Sequence, residues 1–369
     1  MESLRNKISG RNIVAILIFL FLLTAPFYMS SFRTNMISKY MCYALVAIGI
    51  DMIWGYTGIL SLGHGVYFGL GAYCMAMYLK LESSGTGLPD FMTWSGLTEL
   101  PLFWEPFKSP VISMILVIAV PTILALVIGY LTFLNRIKGV YFSILSQALA
   151  AAMATLLIGM QKYLGGSNGL TNFSTIFGKS VYLPAVKSAM YYITLAFLIG
   201  AFVICSILVK KRVGKVLVAI RDGENRTRFM GYNPAVYKVF VYCLSAVLAG
   251  IAGALYVPQV GIISPNDVNI SPSIEMVIWV AIGGKGTLIG PIIGALVTNF
   301  GKSIISENFP ELWSYFIGFM FIFVILLLPG GIVSLKDVPR RIINKINLYK
   351  EKKMDNEKNK KVLAKRQHN

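Results

Sequence analysis

Long stretches without a single charged residue recur along this chain and restrict its fold more than any other feature. They cover residues 12–32, 109–135, 139–161, 188–209 and 239–266. Each is long enough to cross a bilayer as a helix, which takes about 20 apolar residues. Of the 369 residues only 14% are charged, whereas soluble domains have about a quarter charged. The chain is therefore predicted to be an all-α polytopic membrane protein.

Two further apolar blocks, 40–79 and 273–300, are interrupted by glycines, and the first is too long for a single crossing. With a last apolar run at 312–331, the layout has about ten transmembrane or re-entrant helices. Lysine and arginine concentrate on one side of this layout, which places both termini in the cytoplasm. The predicted regions are a transmembrane domain at 1–335, an exterior loop at 80–109 and a basic cytoplasmic tail at 336–369.

The largest polar interruption, residues 210–232, carries seven Lys/Arg against two acids, which places it in the cytoplasm. Two acid–base pairs four residues apart, with the acid on the N-terminal side, favour a helix. They are Asp222 with Arg226 and Glu224 with Arg228. Because Gly231 is a natural helix end, we predict a cytoplasmic helix of about sixteen residues. Spacing alone leaves a solvated basic loop as an open alternative.

Both broken blocks contain intramembrane ionisable residues, Asp51 and His64 in the first and Glu275 and Lys285 in the second. Paired broken segments are typical of a substrate path, since irregular backbone at membrane depth has to line a cavity or lie buried in protein. The candidate path residues are Asp51, His64, Ser143, Gln147, Glu275, Gly283 and Gly284. Each has a structural alternative: the glycines serve close helix packing, the neutral polar groups bond a neighbouring helix, and the acids pair with bases.

Other chemistries find little support in the sequence. The net charge of +18 suggests nucleic acid, but 12 of the 34 Lys/Arg follow residue 335, a bias typical of cytoplasmic segments. The four cysteines lie singly in apolar runs and there are two histidines, so neither a metal site nor a histidine-based triad is predicted. The strings at 178–180 and 301–303 lack the earlier glycine of a phosphate-binding loop. The chain is predicted to be no enzyme and to hold no cofactor of its own.

Four motifs in order carry a resemblance to one family. They are Gly58 through Gly65, Gly165 through Leu170, Gly214 through Gly231, and Glu275 through Thr287. Over residues 35–330 the chain resembles the permease subunits of ATP-binding-cassette importers for branched-chain amino acids and urea. The resemblance implies that the cytoplasmic coupling segment, 210–235, docks on an ATP-hydrolysing subunit. The coupling residues that it implies are Arg221, Asp222, Glu224, Arg226, Arg228 and Gly231.

The resemblance also implies a location and partners. The chain is expected in the cell (inner) membrane, in contact with membrane lipid. A homologous second permease, two ATP-binding subunits and an exterior solute-binding protein would complete the importer, with ATP and Mg on the partner subunits. The coupling helix is expected to kink or split at Gly223, because a glycine inside a helix costs up to about 1 kcal/mol.

Within the family, segments 87–104, 141–147 and 170–173 resemble the urea-type permeases more than those for branched-chain amino acids. The expected function is therefore to form half of the translocation path for urea. One alternative is a permease for branched-chain or related amino acids. Another, from a different class, is a self-sufficient secondary transporter or channel, which hydropathy alone equally allows.

Overall fold

The computed structural model describes residues 2–85, 87–137 and 139–309, together with a few positions between 311 and 332. The predicted crossing at 312–331 lies largely outside the described residues, and the tail at 336–369 lies wholly outside them. The helices are α1 (Glu2–Thr24), α2 (Ser31–Thr57), α3 (His64–Ser84), α4 (Asp90–Trp94), α5 (Pro110–Leu134), α6 (Val140–Gly159), α7 (Gln161–Leu164), α8 (Pro184–Lys210), α9 (Arg212–Phe229), α10 (Pro234–Val260), α11 (Pro265–Val268), α12 (Ile270–Gly283) and α13 (Ile289–Asn308). The strands are β1 (Leu170–Thr171), β2 (Thr175–Ile176), β3 (Lys179–Ser180) and β4 (Ile262–Ile263).

In the described part of the chain, six helices are long and apolar enough to cross a membrane. They are α2, α5, α6, α8, α10 and α13. This result confirms the all-α polytopic class and leaves the expected number of about ten helices unconfirmed. The difference arises partly from α12, which has only 14 residues.

Helices α3 and α12 begin inside the bundle rather than at one of its faces. The Gly65 amide at the start of α3 donates to Ser273 Oγ near the start of α12, at 3.0 Å. Beside it, His64 Nε2 lies 2.6 Å from Ser245 Oγ. Ser245 lies about 16 Å along α10 from its first residue. The two helix starts therefore meet roughly halfway through the bundle, a depth that the length of an apolar run does not reveal.

Close packing around α10 depends on residues without side chains. A Cβ on Gly71 of α3 would meet the backbone of Gly250 on α10, and one on Gly253 would meet the Phe68 carbonyl. Small residues at these positions let neighbouring helices approach closely, which is how helices gain contact energy in an apolar solvent. Helix α10 thus lies buried among α2, α3 and α5.

The polar segments on the face away from α9 contact one another. Strand β1 pairs antiparallel with β4, and β2 forms a hairpin with β3. Lys80 Nζ donates to the Thr171 carbonyl at 2.9 Å, and the Glu82 carboxylate accepts from the Phe177 amide at 3.1 Å. The segments predicted as exterior therefore share one face, as the layout requires.

The predicted exterior segment, 80–109, begins with a lysine that lies inside a helix. Lys80 lies inside α3, which continues to Ser84, and its side chain is buried. It pairs with Asp90 at 2.8 Å. Burial alone would raise the pKa of Asp90, but hydrogen bonds from Lys80 and from the Phe91 amide outweigh it and hold the pKa below its usual value. This pair allows the charged lysine to stay within the helix.

Candidate coupling helix and translocation groove

Helix α9 lies between α8 and α10, and it covers the segment where a helix of about sixteen residues is predicted. Its backbone leaves helical geometry at Gly223, where φ is −174° and ψ is 79°. The expected kink is therefore present. Its buried positions before the kink, among them Val216, Leu217 and Ile220, hold it against the bundle. Asp222 and Arg226 are exposed, and the Arg221 side chain is exposed in part.

The kink changes the ion pairs that the spacing predicts. Asp222 pairs with its neighbour Arg221 at 2.9 Å rather than with Arg226. Position 222 lies before the break and position 226 after it, so they no longer share one helical face. The predicted pair of Glu224 with Arg228 does form, at 3.6 Å.

Glu224 also holds the second half of α9 against α10. Its carboxylate accepts a hydrogen bond from Lys238 Nζ at 2.8 Å, and both side chains are largely buried, with 16% and 7% exposed. Glu224 therefore faces inward, and the residues that α9 presents outward at its end are different ones. Phe229 is 92% exposed and Met230 is 76% exposed. Sequence reasoning missed both, although a large apolar side chain at the end of a basic helix was the available signal.

Three chain segments meet beside the first half of α9, and we call this meeting point the junction. It consists of Asp51 and Gly55 on α2, Arg221 on α9, and Gly286 and Leu288 in the loop before α13. Arg221 Nη1 donates to the Gly55 carbonyl at 2.7 Å. This carbonyl lies in the last turn of α2, where no helical amide follows to bond it.

Asp51 supplies the other half of the junction. Its fully buried carboxylate accepts hydrogen bonds from the amides of Gly286, at 2.5 Å, and Leu288, at 3.0 Å. Leu288 has a positive φ of 56°, a conformation that non-glycine residues keep only when their surroundings hold it. Asp51 was a candidate path residue, and its geometry is that of a brace between the two broken blocks.

His64 and Ser143 brace the interruption between α2 and α3, residues 58–63, which we call the first break. His64 Nδ1 lies 2.9 Å from Ser61 Oγ. Ser143 Oγ donates to the Leu60 carbonyl at 2.7 Å, and Ser146 Oγ accepts from the Leu62 amide at 2.9 Å. The candidate Gln147 follows on α6, half-buried. The hydrogen bonds of His64 and Ser143 are those of structural residues, the alternative to a path role that the sequence left open. Sequence reasoning missed Ser146.

Glu275 is paired with a residue that sequence reasoning did not consider. Lys302 Nζ on α13 lies 2.9 Å from Glu275 Oε2, whereas Lys285 Nζ lies 5.0 Å from the ring centre of Trp54. The ion pair forms because α12 and α13 run back against each other around residues 284–288, which we call the second break. The ion pair agrees with the structural alternative for Glu275, a carboxylate paired with a base, and its role in the path stays a prediction.

The glycines of the second block permit this hairpin. A Cβ on Gly283 would meet the backbone of Gly290, and one on Gly294 would meet the Trp279 carbonyl. Gly284 has a φ of 114°, which is accessible to glycine and strained for other residues. Gly283 and Gly284 thus serve helix packing and the turn.

Two cavities lie on opposite faces. The inner cavity, about 370 Å³, adjoins α9 and is lined by residues that include Gly58, Phe142, Arg221 and Lys238. The outer groove, about 330 Å³, lies between α2 and α13 on the face away from α9. Its lining includes Met36, Lys39, Tyr40, Tyr43, Asn299 and Lys302.

A helical membrane bundle with two broken segments and an exposed helix on one face defines the class, a polytopic transport protein. Residues 32–325 match the family described as branched-chain amino acid transport system / permease component. The chain belongs to this family, whose members are transporter permease subunits rather than enzymes.

Curated relatives cover most of the chain at low identity. The permease protein LivM of the high-affinity branched-chain amino acid transport system of Escherichia coli (strain K12) is 21% identical, over 84% of this chain and 72% of its own length. The corresponding protein BraD of Pseudomonas aeruginosa is 22% identical, over 81% and 93%. A probable branched-chain amino acid transport permease protein LivM of Methanocaldococcus jannaschii is 23% identical, over 80% and 91%. No solved structure matches the chain.

Proposed function

We propose that this chain is one permease half of an ATP-binding-cassette importer for branched-chain amino acids, with α9 as the docking site for an ATP-hydrolysing subunit. The observation that carries the proposal is the junction, where Arg221 joins α9 to the end of α2 and Asp51 joins α2 to the second break. A displacement of α9 therefore reaches both broken blocks through hydrogen bonds. A passive channel has no need of such a connection.

The exposed end of α9 supports docking. Phe229 and Met230 place two large apolar side chains in the open beside Arg226 and Arg228. Aromatic, methionine and arginine side chains are enriched at protein interfaces, where burial of their apolar surface stabilises the complex. The partners that fit this arrangement are two ATP-binding subunits that hold ATP and Mg, a homologous second permease and an exterior solute-binding protein.

The relatives favour amino acids over urea as the substrate. Each of the three compared proteins is named as a branched-chain amino acid permease. The outer groove is consistent with this choice, because it combines two lysines and one carboxylate, that of Glu307, with the rings of Tyr40 and Tyr43. Urea carries neither a charge nor an apolar side chain for such a lining to recognise. The resemblance of 87–104 to urea-type permeases is therefore set aside.

The substrate is tested by reconstituting the complete importer in liposomes and measuring ATP-dependent uptake of labelled leucine and labelled urea. We expect leucine to accumulate and urea to remain at background. Accumulation of urea without leucine would contradict the proposal that branched-chain amino acids are the substrate. Accumulation of either solute by this chain alone would contradict the importer assignment.

Docking is tested with Glu224→Lys, which breaks the contact with Lys238 and leaves the apolar spans unchanged. We expect normal membrane insertion, weaker association with the ATP-binding subunit and reduced uptake. Glu99→Lys, on the opposite face, makes the same charge change and is expected to leave association unchanged. Equal association of both variants with the ATP-binding subunit would remove this part of α9 from the docking site.

A further inference from the structure

The outer groove contains a lysine whose chemistry the importer assignment does not explain. Lys39 lies about 12 Å along α2 from its first residue, within the span. Its Nζ lies 5.8 Å from the ring centre of Tyr43 and 5.7 Å from that of Tyr256. These rings stabilise a cation at their faces. They leave the three hydrogen-bond donors of the ammonium group without a strong acceptor.

Two nearby carboxylates are already engaged, and a third, that of Glu307, lines the groove without an ion pair to Lys39. Glu275 is paired with Lys302. Asp267 accepts hydrogen bonds from the amide and hydroxyl of Ser264, at 2.9 and 3.0 Å. Among the described residues, Lys39 forms no ion pair. An ionisable side chain inside a membrane span is costly unless it has a partner or water, and such residues mark substrate pathways.

The aromatic residues behind Lys39 fix its position. The Tyr43 ring lies 4.6 Å from that of Trp279 and 5.7 Å from that of Tyr256. Phe68 packs on Tyr256 with ring centres 5.2 Å apart. Since α2, α3, α10 and α12 each contribute one ring, the surface beneath the ammonium group is rigid. Lys39 therefore presents its ammonium group to the groove at a fixed position.

We propose that Lys39 binds the carboxylate of an amino acid in the outer groove. This inference rests on the proposed function and adds the group that recognises the substrate class. A charge-assisted hydrogen bond joins the ammonium to the carboxylate. The rings of Tyr40 and Tyr43 and the side chain of Met36 supply apolar surface for an aliphatic side chain, and a volume of about 330 Å³ leaves room for it. An amide analogue without the negative charge loses this contact.

The first test measures binding to the assembled importer in nanodiscs, without the solute-binding protein, by saturation-transfer NMR. Leucine is expected to give a signal, and leucinamide, which lacks the carboxylate, a much weaker one. Lys39→Gln is expected to weaken leucine binding by about tenfold, the loss expected for one hydrogen bond to a charged group. Lys39→Arg keeps the charge and should restore binding. Equal signals from leucine and leucinamide in the unmodified complex would overturn the proposal.

The second test measures leucine uptake by the complete importer. Lys39→Gln should reduce uptake while the complex assembles normally, and Lys187→Gln, an exposed lysine on the same face, should not. Unchanged uptake in Lys39→Gln would overturn the assignment of Lys39 while leaving the proposed function intact. Loss of assembly in Lys39→Gln would assign the lysine to a contact with a partner subunit instead. Urea uptake without leucine uptake in the unmodified importer would contradict the proposed function itself.

Discussion

The two breaks interrupt the membrane-embedded helices in the same way and are braced in different ways. Hydroxyl and imidazole groups from several elements hold the first break, through Ser143 and Ser146 on α6 and the His64–Ser245 contact. In the second break the Tyr56 hydroxyl donates to the Gly286 carbonyl at 3.2 Å, and one carboxylate, that of Asp51, accepts hydrogen bonds from two amides. The loss of one neutral group in the first break removes one contact, whereas the loss of Asp51 removes two charged ones at once. The second break is therefore the more sensitive of the two to one substitution.

The largest expected effect is that of Asp51→Ala. It leaves the half-buried amide of Gly286 and the buried amide of Leu288 without their acceptor, and unsatisfied buried groups cost about 1–3 kcal/mol each. We expect a loss of stability of about 3 kcal/mol or more and less folded protein in the membrane. Thermal unfolding in detergent, followed by fluorescence-detected size exclusion, measures the change.

Asp222→Ala is the matched control, because it removes a carboxylate whose side chain is 63% exposed. It is expected to leave the unfolding temperature nearly unchanged. If Asp51→Ala behaves like this control, the contrast between the two breaks is wrong.

A smaller effect is expected from Ser146→Ala in the first break. The Leu62 amide loses its acceptor, while Ser143 and His64 keep their contacts with the break. The expected cost is about 1–2 kcal/mol, the range for one lost hydrogen bond in a partly buried site. The control is Thr155→Ala, whose hydroxyl bonds only the Ala151 carbonyl of its own helix. A larger loss of stability in Ser146→Ala than in Asp51→Ala would reverse the comparison.

The smallest effect is expected from Glu275→Gln on α12, the helix that precedes the second break. Both partners of the ion pair are partly exposed, 22% for Glu275 and 36% for Lys302, so solvent screens their attraction. We expect a loss of about 1 kcal/mol or less. The measurement compares unfolding temperature with leucine uptake per folded molecule. Unchanged stability together with altered uptake would indicate that Glu275 lines the path and does not stabilise the packing of α12 against α13.

The sequence predicted these breaks because glycines interrupting apolar blocks have a local signature. The first block turns at residues 58–63 and the second near Gly284, where positive φ values favour glycine. The kink of α9 was predicted for the same reason, since Gly223 lowers helix stability wherever it stands. Local backbone preference was sufficient for all three features.

The sequence pattern could not predict the contacts across the bundle. Asp51 meets Gly286 across 235 positions of chain, and neither residue carries a mark of the other. The pairing of Glu275 with Lys302 requires the α12–α13 hairpin, whereas Lys285 lay nearer in sequence. Lys39 directly precedes the predicted first apolar block, 40–79, and was not a candidate site residue. Its position inside α2 became apparent once the helix was found to begin at Ser31.

Site-specific cross-linking tests whether α9 receives the ATP-hydrolysing subunit. A cysteine is introduced by Met230→Cys at the exposed end of α9, and in a second variant by Tyr182→Cys, an exposed position on the opposite face. Each variant is assembled with the ATP-binding subunit and treated with a short thiol-to-amine cross-linker. We predict a cross-linked product for Met230→Cys and none for Tyr182→Cys. Absence of the product at position 230, or an equal yield at position 182, would contradict the account.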